Sequence, residues 1–444
     1  MAQETTPGSR ELVRFFAPVA IQAASQALCY PLVAMVASRA AGGPLNLAGM
    51  AQSITVMFFL GMFAIYFITT GMVFATSRQG FEKFRQVVLA TGAGVVVIQA
   101  GLCLPPVSRL VFEKLIGLPL TIAAPARLTL LASIPLQLLF FLRVPYFVAM
   151  YVGRASGRAS LATVGRVVVT ALLSPIFCSL GWVGPLWAIV CLTLPVAMEV
   201  AIARRFAARF ISVLGKAGAA VPTARDIFWF NLPLAIGGYC LAISGVALGG
   251  FIARAPDPER ILPVYYLALG LANPVAFAAT RIQTVVLAYP PPATNLKQLG
   301  RFAAAVGIVL GLLPLACILP GVAELYYVVL QNLPSTDLPL VRLTALSLVL
   351  FPLGVAIRAR NEGLAAWQKK PSAVLKGHIL FMATIVAVGT AALIIGIPGY
   401  FIGALGLSLG NLASASVIRI GLKRSAQGVL PAGQTTTTSV GQIR

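Results

Sequence analysis

The run from Val341 to Pro371, VRLTALSLVLFPLGVAIRARNEGLAAWQKKP, decides the fold. It is apolar enough to cross a bilayer, yet it carries Arg358, Arg360 and Glu362 well inside it and closes on Lys369 and Lys370. At 1.5 Å per residue, Arg358 stands roughly 16 Å from the basic end of the run, close to a bilayer midplane. An arginine at that depth costs at least a few kcal/mol, so something must pair or solvate it. The run has an earlier copy. Arg143 precedes Arg358 by 358 − 143 = 215 positions, and the same step takes Arg342-Leu343-Thr344 back to Arg127-Leu128-Thr129 and Lys369 back to Arg154.

The repeat extends in both directions. At the same offset Phe15 meets Phe230, Pro18 meets Pro233, Arg39 meets Arg254, Gly92 meets Gly307, Pro105 meets Pro320 and Pro119 meets Pro334. Matching prolines over such a distance mark an internal duplication rather than a chance alignment of Leu- and Ala-rich helices. Apolar segments of roughly 20 residues, the length that spans about 30 Å of hydrocarbon, are expected to begin near residues 12, 46, 85, 122, 159 and 185, and again near 227, 261, 298, 338, 372 and 400. The expected fold is therefore an all-α, polytopic membrane protein of 12 transmembrane helices in two six-helix lobes. An even number of spans per unit makes both copies enter from the same side, which relates them by a pseudo-twofold along the membrane normal.

Composition agrees. The chain is 59% hydrophobic and 10% charged, with a mean hydropathy of +0.92, too apolar for a water-facing surface. The formal charge of +22 does not point to nucleic acid, because the basic residues sit at helix ends and no soluble domain displays them. The six cysteines lie in apolar runs without C-x-x-C spacing and read as small buried hydrophobes. With one histidine, His378, read as a polar residue near a helix end, a histidine-based metal site or catalytic triad is not expected. No cofactor, metal or enzyme activity is expected.

The opening MAQETTPGSRELVRF, with Glu4 and Glu11, is unlike the basic start of a cleaved signal peptide, so the first apolar segment is expected to stay. Positive charge concentrates in alternate loops. Arg78, Lys83 and Arg85 fall there, as do Arg154 and Arg158, the cluster Arg204, Arg205 and Arg209, Lys297 and Arg301, Lys369 and Lys370, and Lys423 and Arg424. The positive-inside rule then places both termini in the cytoplasm. The expected division is a first lobe over residues 1–203, a cytoplasmic linker over 204–225, a second lobe over 226–424 and a disordered Thr- and Gln-rich tail over 425–444.

Four arginines from four helices are expected inside the membrane: Arg143, Arg166, Arg281 and Arg358, with Thr280, Gln283 and Thr284 beside Arg281. Turned inward, they would line one cationic cavity open to the cytoplasm. The competing reading gives Arg358 a structural role, since Glu362 stands four residues on, the spacing of an intrahelical ion pair. Arg143 has Phe147 at the comparable place and no local acid. Arg360 points to another helix face and joins the candidate substrate-binding residues, with Glu362 and Glu199 as charge partners. Arg127 and Arg342 read as interfacial anchors. Pro18 and Pro233 are candidate hinges, since proline bends a helix or frees a carbonyl. Bases outnumber acids in the spans, which favours an anionic substrate held by guanidinium-to-oxyanion contacts. No G-x-x-x-x-G-K-[ST] loop exists to couple transport to ATP hydrolysis.

The two-lobe duplication resembles the multidrug/oligosaccharidyl-lipid/polysaccharide (MOP) flippase superfamily, whose best-known branch is the multidrug and toxin extrusion (MATE) transporters. Phe351-Pro352 followed by Arg358-Ala359, Gly363 and Lys369-Lys370 is similar to the progressive ankylosis (ANKH-type) proteins, as are Val13-Arg14-Phe15 with Pro18, Pro274-Val275 leading to Tyr289-Pro290, and the Gly-rich run from Gly396 to Gly410. That resemblance implies export of small anions such as pyrophosphate, nucleoside triphosphate or citrate, with Arg358 at the family's helix-ten arginine. Arg360 and Glu362 depart from the family pattern. The expectation is a monomeric secondary transporter in the cell membrane that exports such anions by alternating access. A lipid-linked saccharide flippase and a multidrug/cation antiporter are the rival readings.

Overall fold

The computed structural model describes residues 7–26, 29–215, 221–291, 294–331 and 333–427. The described helices fall into twelve spans. Eleven are long and apolar enough to cross a bilayer, Ile134–Val152 among them, which together with the shorter helix Leu120–Ala132 makes up span 4. The others of these are span 2 (Leu45–Phe74), span 3 (Arg78–Leu102), span 5 (Ser156–Ser179), span 6 (Pro185–Ser212), span 7 (Ala224–Ile252), span 8 (Arg260–Ala288), span 9 (Leu296–Ile318), span 10 (Ser335–Trp367), span 11 (Pro371–Ile395) and span 12 (Gly399–Leu422). Span 1 is built from two shorter helices, Ser9–Gln26 and Cys29–Ser38.

The expected starts hold to within four residues except at span 3, which begins seven residues early. The polar turn RQGFEKF is helical because Ser77 caps it, its hydroxyl accepting the Gly80 N–H at 3.2 Å. The linker is also shorter than expected. The Ala- and Arg-rich continuation of span 6 stays helical to Ser212, and span 7 starts at Ala224 under a Thr223/Asp226 capping box. Most of the expected tail, residues 428–444, lies outside the described residues.

The duplication is visible in the backbone. Spans 4 and 10 break at matching places, Ser133 and Leu348, and each is preceded by a π-helical turn, Leu110–Leu115 and Glu324–Leu330. Arg127 pairs with Glu113 at 3.0 Å and Arg342 with Glu324 at 2.9 Å, so each lobe ties the start of its fourth helix to that turn. At the opposite end, Arg154 and Lys369 both take left-handed backbone, with φ of 54° and 56°. Each sits in a Schellman turn, with Ala155 N–H donating to the Met150 carbonyl and Lys370 N–H to that of Ala365, both at 2.8 Å. Glycine is the usual occupant of such a position.

Among the described residues, the lobes share one apolar cluster. The largest apolar cluster draws on both lobes, and its first-lobe members, such as Phe15, Phe16, Phe67, Phe84 and Tyr151, come from the basic ends of the spans. At the other end each lobe keeps a core of its own, around Phe112, Leu130 and Phe177 in the first and Leu248, Tyr265 and Ile402 in the second. The basic ends, where a cytoplasm-facing opening was expected, are thus sealed.

Candidate functional site

The membrane-interior charges form three groups rather than one cavity. In the first lobe, Glu199 of span 6 is fully buried and receives Arg166 of span 5 at 2.9 Å and Arg143 of span 4 at 3.3 Å on the same carboxylate oxygen. Its other oxygen accepts the hydroxyl of Thr163. Thr163 in turn accepts from the Gln22 amide at 2.9 Å, and the Gln22 carbonyl oxygen accepts the Tyr151 hydroxyl at 2.6 Å. A continuous chain of polar contacts therefore runs from Tyr151 through span 1 to Glu199. Span 1 is also pinned to span 5 at Pro18, whose carbonyl accepts the Ser160 hydroxyl at 2.6 Å.

Arg143 lies over the rings of Phe140 and Phe147 at 4.8 and 5.8 Å. With Arg166, Gln26, Cys29 and Tyr30 it lines a cavity of about 60 Å³ inside the first lobe. That volume has room for a few waters.

In the second lobe, Glu362 pairs with Arg358 on its own helix at 3.1 Å and with His378 of span 11 at 2.7 Å, both through Oε1. Arg358 also lies over Phe381 at 5.6 Å. All three polar groups are buried. His378, expected near a helix end, is instead seven residues into span 11 and fully enclosed, because Gly237 on span 7 leaves room for its ring. The two lobes reach the same balance by different routes. Arg143 and Arg358 are duplicates, but the first takes its acid from span 6 and the second from its own helix, with Ser414 standing at the place that corresponds to Glu199 and Phe147 at the place of Glu362.

The third group is Arg281, at the break between the two helices of span 8. It forms no ion pair with any described residue, and its electrostatic neighbour is Tyr151 of the first lobe. Tyr151 thus lies within electrostatic reach of Arg281 and also begins the Gln22–Thr163–Glu199 chain. Thr284 is buried nearby on the same helix, and the amide nitrogen of Gln283 is enclosed without a hydrogen-bond partner.

Arg360 belongs to none of these groups. Its guanidinium donates to the Leu296 carbonyl at 2.8 Å and to the Asn361 side chain at 3.1 Å, at the basic end of span 9. Two positions along a helix from Arg358 turn it about 200° away. Pro18 and Pro233 lie within helices that run through them. Gln22, Tyr151, Thr163 and His378 complete the network and carry no sequence signal beyond being polar residues on apolar helices.

No protein-family model matches the chain, and no curated protein is similar to it. Solved structures are. An outward-facing multidrug resistance MATE transporter of the MOP superfamily superposes with a TM-score of 0.74 at 16% identity, over 96% of this chain and 97% of that one. A MOP superfamily transporter from Pyrococcus furiosus gives 0.70 at 17% over 95% and 96%, and the bent form of the Vibrio cholerae MATE transporter VcmN gives 0.72 at 15% over 94% and 98%. The chain has the MATE transporter fold. Identities this low establish the fold alone, and the expected two-lobe layout agrees with it.

Proposed function

We propose that this MATE-like chain is a secondary transporter that exports small phosphorylated or carboxylated anions by alternating access. The observation that carries the reading is Arg281, set at the break in span 8 within electrostatic reach of Tyr151 of the other lobe and with no ion-pair partner among the described residues. A lone guanidinium in the membrane interior costs at least about 3 kcal/mol, and an oxyanion that docks on it repays that cost. The first-lobe group adds to the attraction, since Arg143 and Arg166 share the single carboxylate of Glu199. The acids that a cationic drug would need are already engaged: Glu199 holds two arginines, and Glu362 holds Arg358 and His378. Within the same fold, the Pyrococcus furiosus transporter is described as having a binding pocket of reverse polarity, so a change of pocket charge has a precedent.

On this reading the basic end faces the cytoplasm, both termini lie there, and the chain works as a monomer in the cell membrane. The ANKH-type resemblance supplies the substrate candidates pyrophosphate, nucleoside triphosphate and citrate. The Arg358–Glu362–His378 group is neutralised and supports the second lobe, while Arg281 with Arg143 meets the substrate.

The test is flux in proteoliposomes. Labelled pyrophosphate, ATP and citrate are compared with a labelled organic cation, for the native chain and for Arg281→Gln. At least one anion should move, and the substitution should cut its flux by roughly tenfold or more, the cost of one charge-assisted contact. Movement of the cation alone overturns the anion reading, and undiminished anion flux in Arg281→Gln overturns the site.

A further inference from the structure

Outside the lobe junction, the first lobe carries a second basic concavity. Arg78 and Arg85 of span 3, Tyr146 of span 4, and Arg204, Ala208 and Ile211 of span 6 line an open groove of about 300 Å³ at the basic end. The groove lies between spans 3, 4 and 6 at their basic ends. Arg78 and Arg85 are seven residues apart, two helical turns, which stacks them on one stripe of span 3. Glu82 pairs with Arg78 at 2.9 Å, which leaves Arg85 and Arg204 without an ion-pair partner among the described residues.

The duplicate lobe shows what such a groove wants. There Arg360 enters the corresponding space, beside Gly300, which is the duplicate of Arg85, and near Arg419, which is the duplicate of Arg204. Its guanidinium closes against the Leu296 carbonyl. In the first lobe the position that corresponds to Arg360 is Pro145, which cannot fill the space. One lobe plugs its groove with a side chain, and the other leaves it open and arginine-rimmed.

We propose that the groove binds the phosphate of an anionic phospholipid. The rim supplies cations at headgroup depth, and Tyr146, Ala208 and Ile211 supply an apolar wall for the first part of an acyl chain. Basic pockets between helices at a cytoplasmic membrane surface favour such headgroups. This site is separate from Arg281 and does not depend on what is transported.

The experiment is native mass spectrometry of the full chain in detergent with added phosphatidylglycerol or phosphatidylcholine, together with a fluorescent phosphatidylglycerol titration. Arg85→Ala with Arg204→Ala is compared with Lys83→Ala and Arg205→Ala, a pair that removes the same charge from the same two helices but lies off the groove. Phosphatidylglycerol should be retained over phosphatidylcholine, and the groove pair should weaken it by roughly tenfold or more against less than about twofold for the control pair. Equal loss in both pairs would mean diffuse attraction to a basic surface, and equal retention of phosphatidylcholine would mean no headgroup recognition. Displacement of the lipid by millimolar inorganic pyrophosphate at unchanged ionic strength would assign the groove to a soluble phosphate instead. Any of these three overturns the proposal.

Discussion

Glu199 takes two guanidiniums on one oxygen at 2.9 and 3.3 Å and has no exposed surface, so its charge holds both arginines in the bilayer interior. Arg143 and Arg166 stand out in the sequence because a base inside an apolar run needs a partner or solvent. Glu199 stands out in the same way and reads as a charge partner, but which arginines it holds is not legible, because they lie 33 and 56 residues away and no local spacing links them. The Arg358–Glu362 contact was legible as an i,i+4 pair, whereas His378 was misread because its burial depends on a glycine of another helix. Removing one partner of a buried pair typically costs 3–5 kcal/mol, since the other charge is left uncompensated. Glu199→Gln should therefore lower the melting midpoint in detergent sharply or abolish folded protein. Adding Arg166→Met, which withdraws the charge that Glu199 covers most closely, should restore much of the loss. A single variant that melts like the native chain would show that Glu199 does not hold the arginines.

The spans themselves were readable from hydropathy and punctuation, and their starts carry over nearly unchanged. What hydropathy does not encode is how closely two of them approach. Gly92 and Gly307 are duplicates, and each marks the place where the third helix of a lobe presses on the fourth. A Cβ on Gly92 would meet the Phe141 side chain at 2.8 Å, while one on Gly307 would meet the Leu353 backbone at 2.7 Å and Ala356 at 3.0 Å. Phe141 Cβ and Leu353 Cα are both fixed to the backbone, so neither can turn aside. Gly92→Ala and Gly307→Ala should thus each lose about 1–3 kcal/mol to overpacking. Gly94→Ala, with nothing within 4 Å of the added atom, should be neutral or slightly stabilising, since alanine is the better helix former. Melting midpoints of the three variants in one detergent check the ranking, and a Gly94→Ala loss equal to that of Gly307→Ala would refute it.

At the scale of the whole molecule, the duplication and its axis follow from an offset of 215 residues, but the state of the two ends does not, because on the proposed alternating-access reading one sequence encodes both an open and a closed basic end. In this structure the seal is built twice. Arg154 leaves the first lobe to lie 4.6 Å over Tyr289 of the second and to donate to the Ala288 carbonyl at 3.3 Å, and Phe15 meets the same tyrosine edge-on at 5.6 Å. Its duplicate is reciprocal: Lys369 leaves the second lobe to lie 5.4 Å over Phe74 of the first, which Phe230 meets edge-on at 5.1 Å. Both cations sit in the left-handed backbone that ordinarily belongs to glycine, a strain on the order of 1 kcal/mol or more each. Strain kept at the same position of both copies is explained if these side chains clamp the lobes together. Each cation–π contact contributes about 0.5–2 kcal/mol, so losing both should move the closed-to-open ratio of the basic end by roughly tenfold. Spin labels on the exposed residues Gln79 and Lys297, one per lobe at that end, would read it. The native chain should give one short distance, Arg154→Ala or Lys369→Ala alone a minor longer population, and the double variant a dominant one. An unchanged distance distribution in the double variant would mean that the shared apolar core seals the end by itself and that the left-handed cations serve only the turns they occupy.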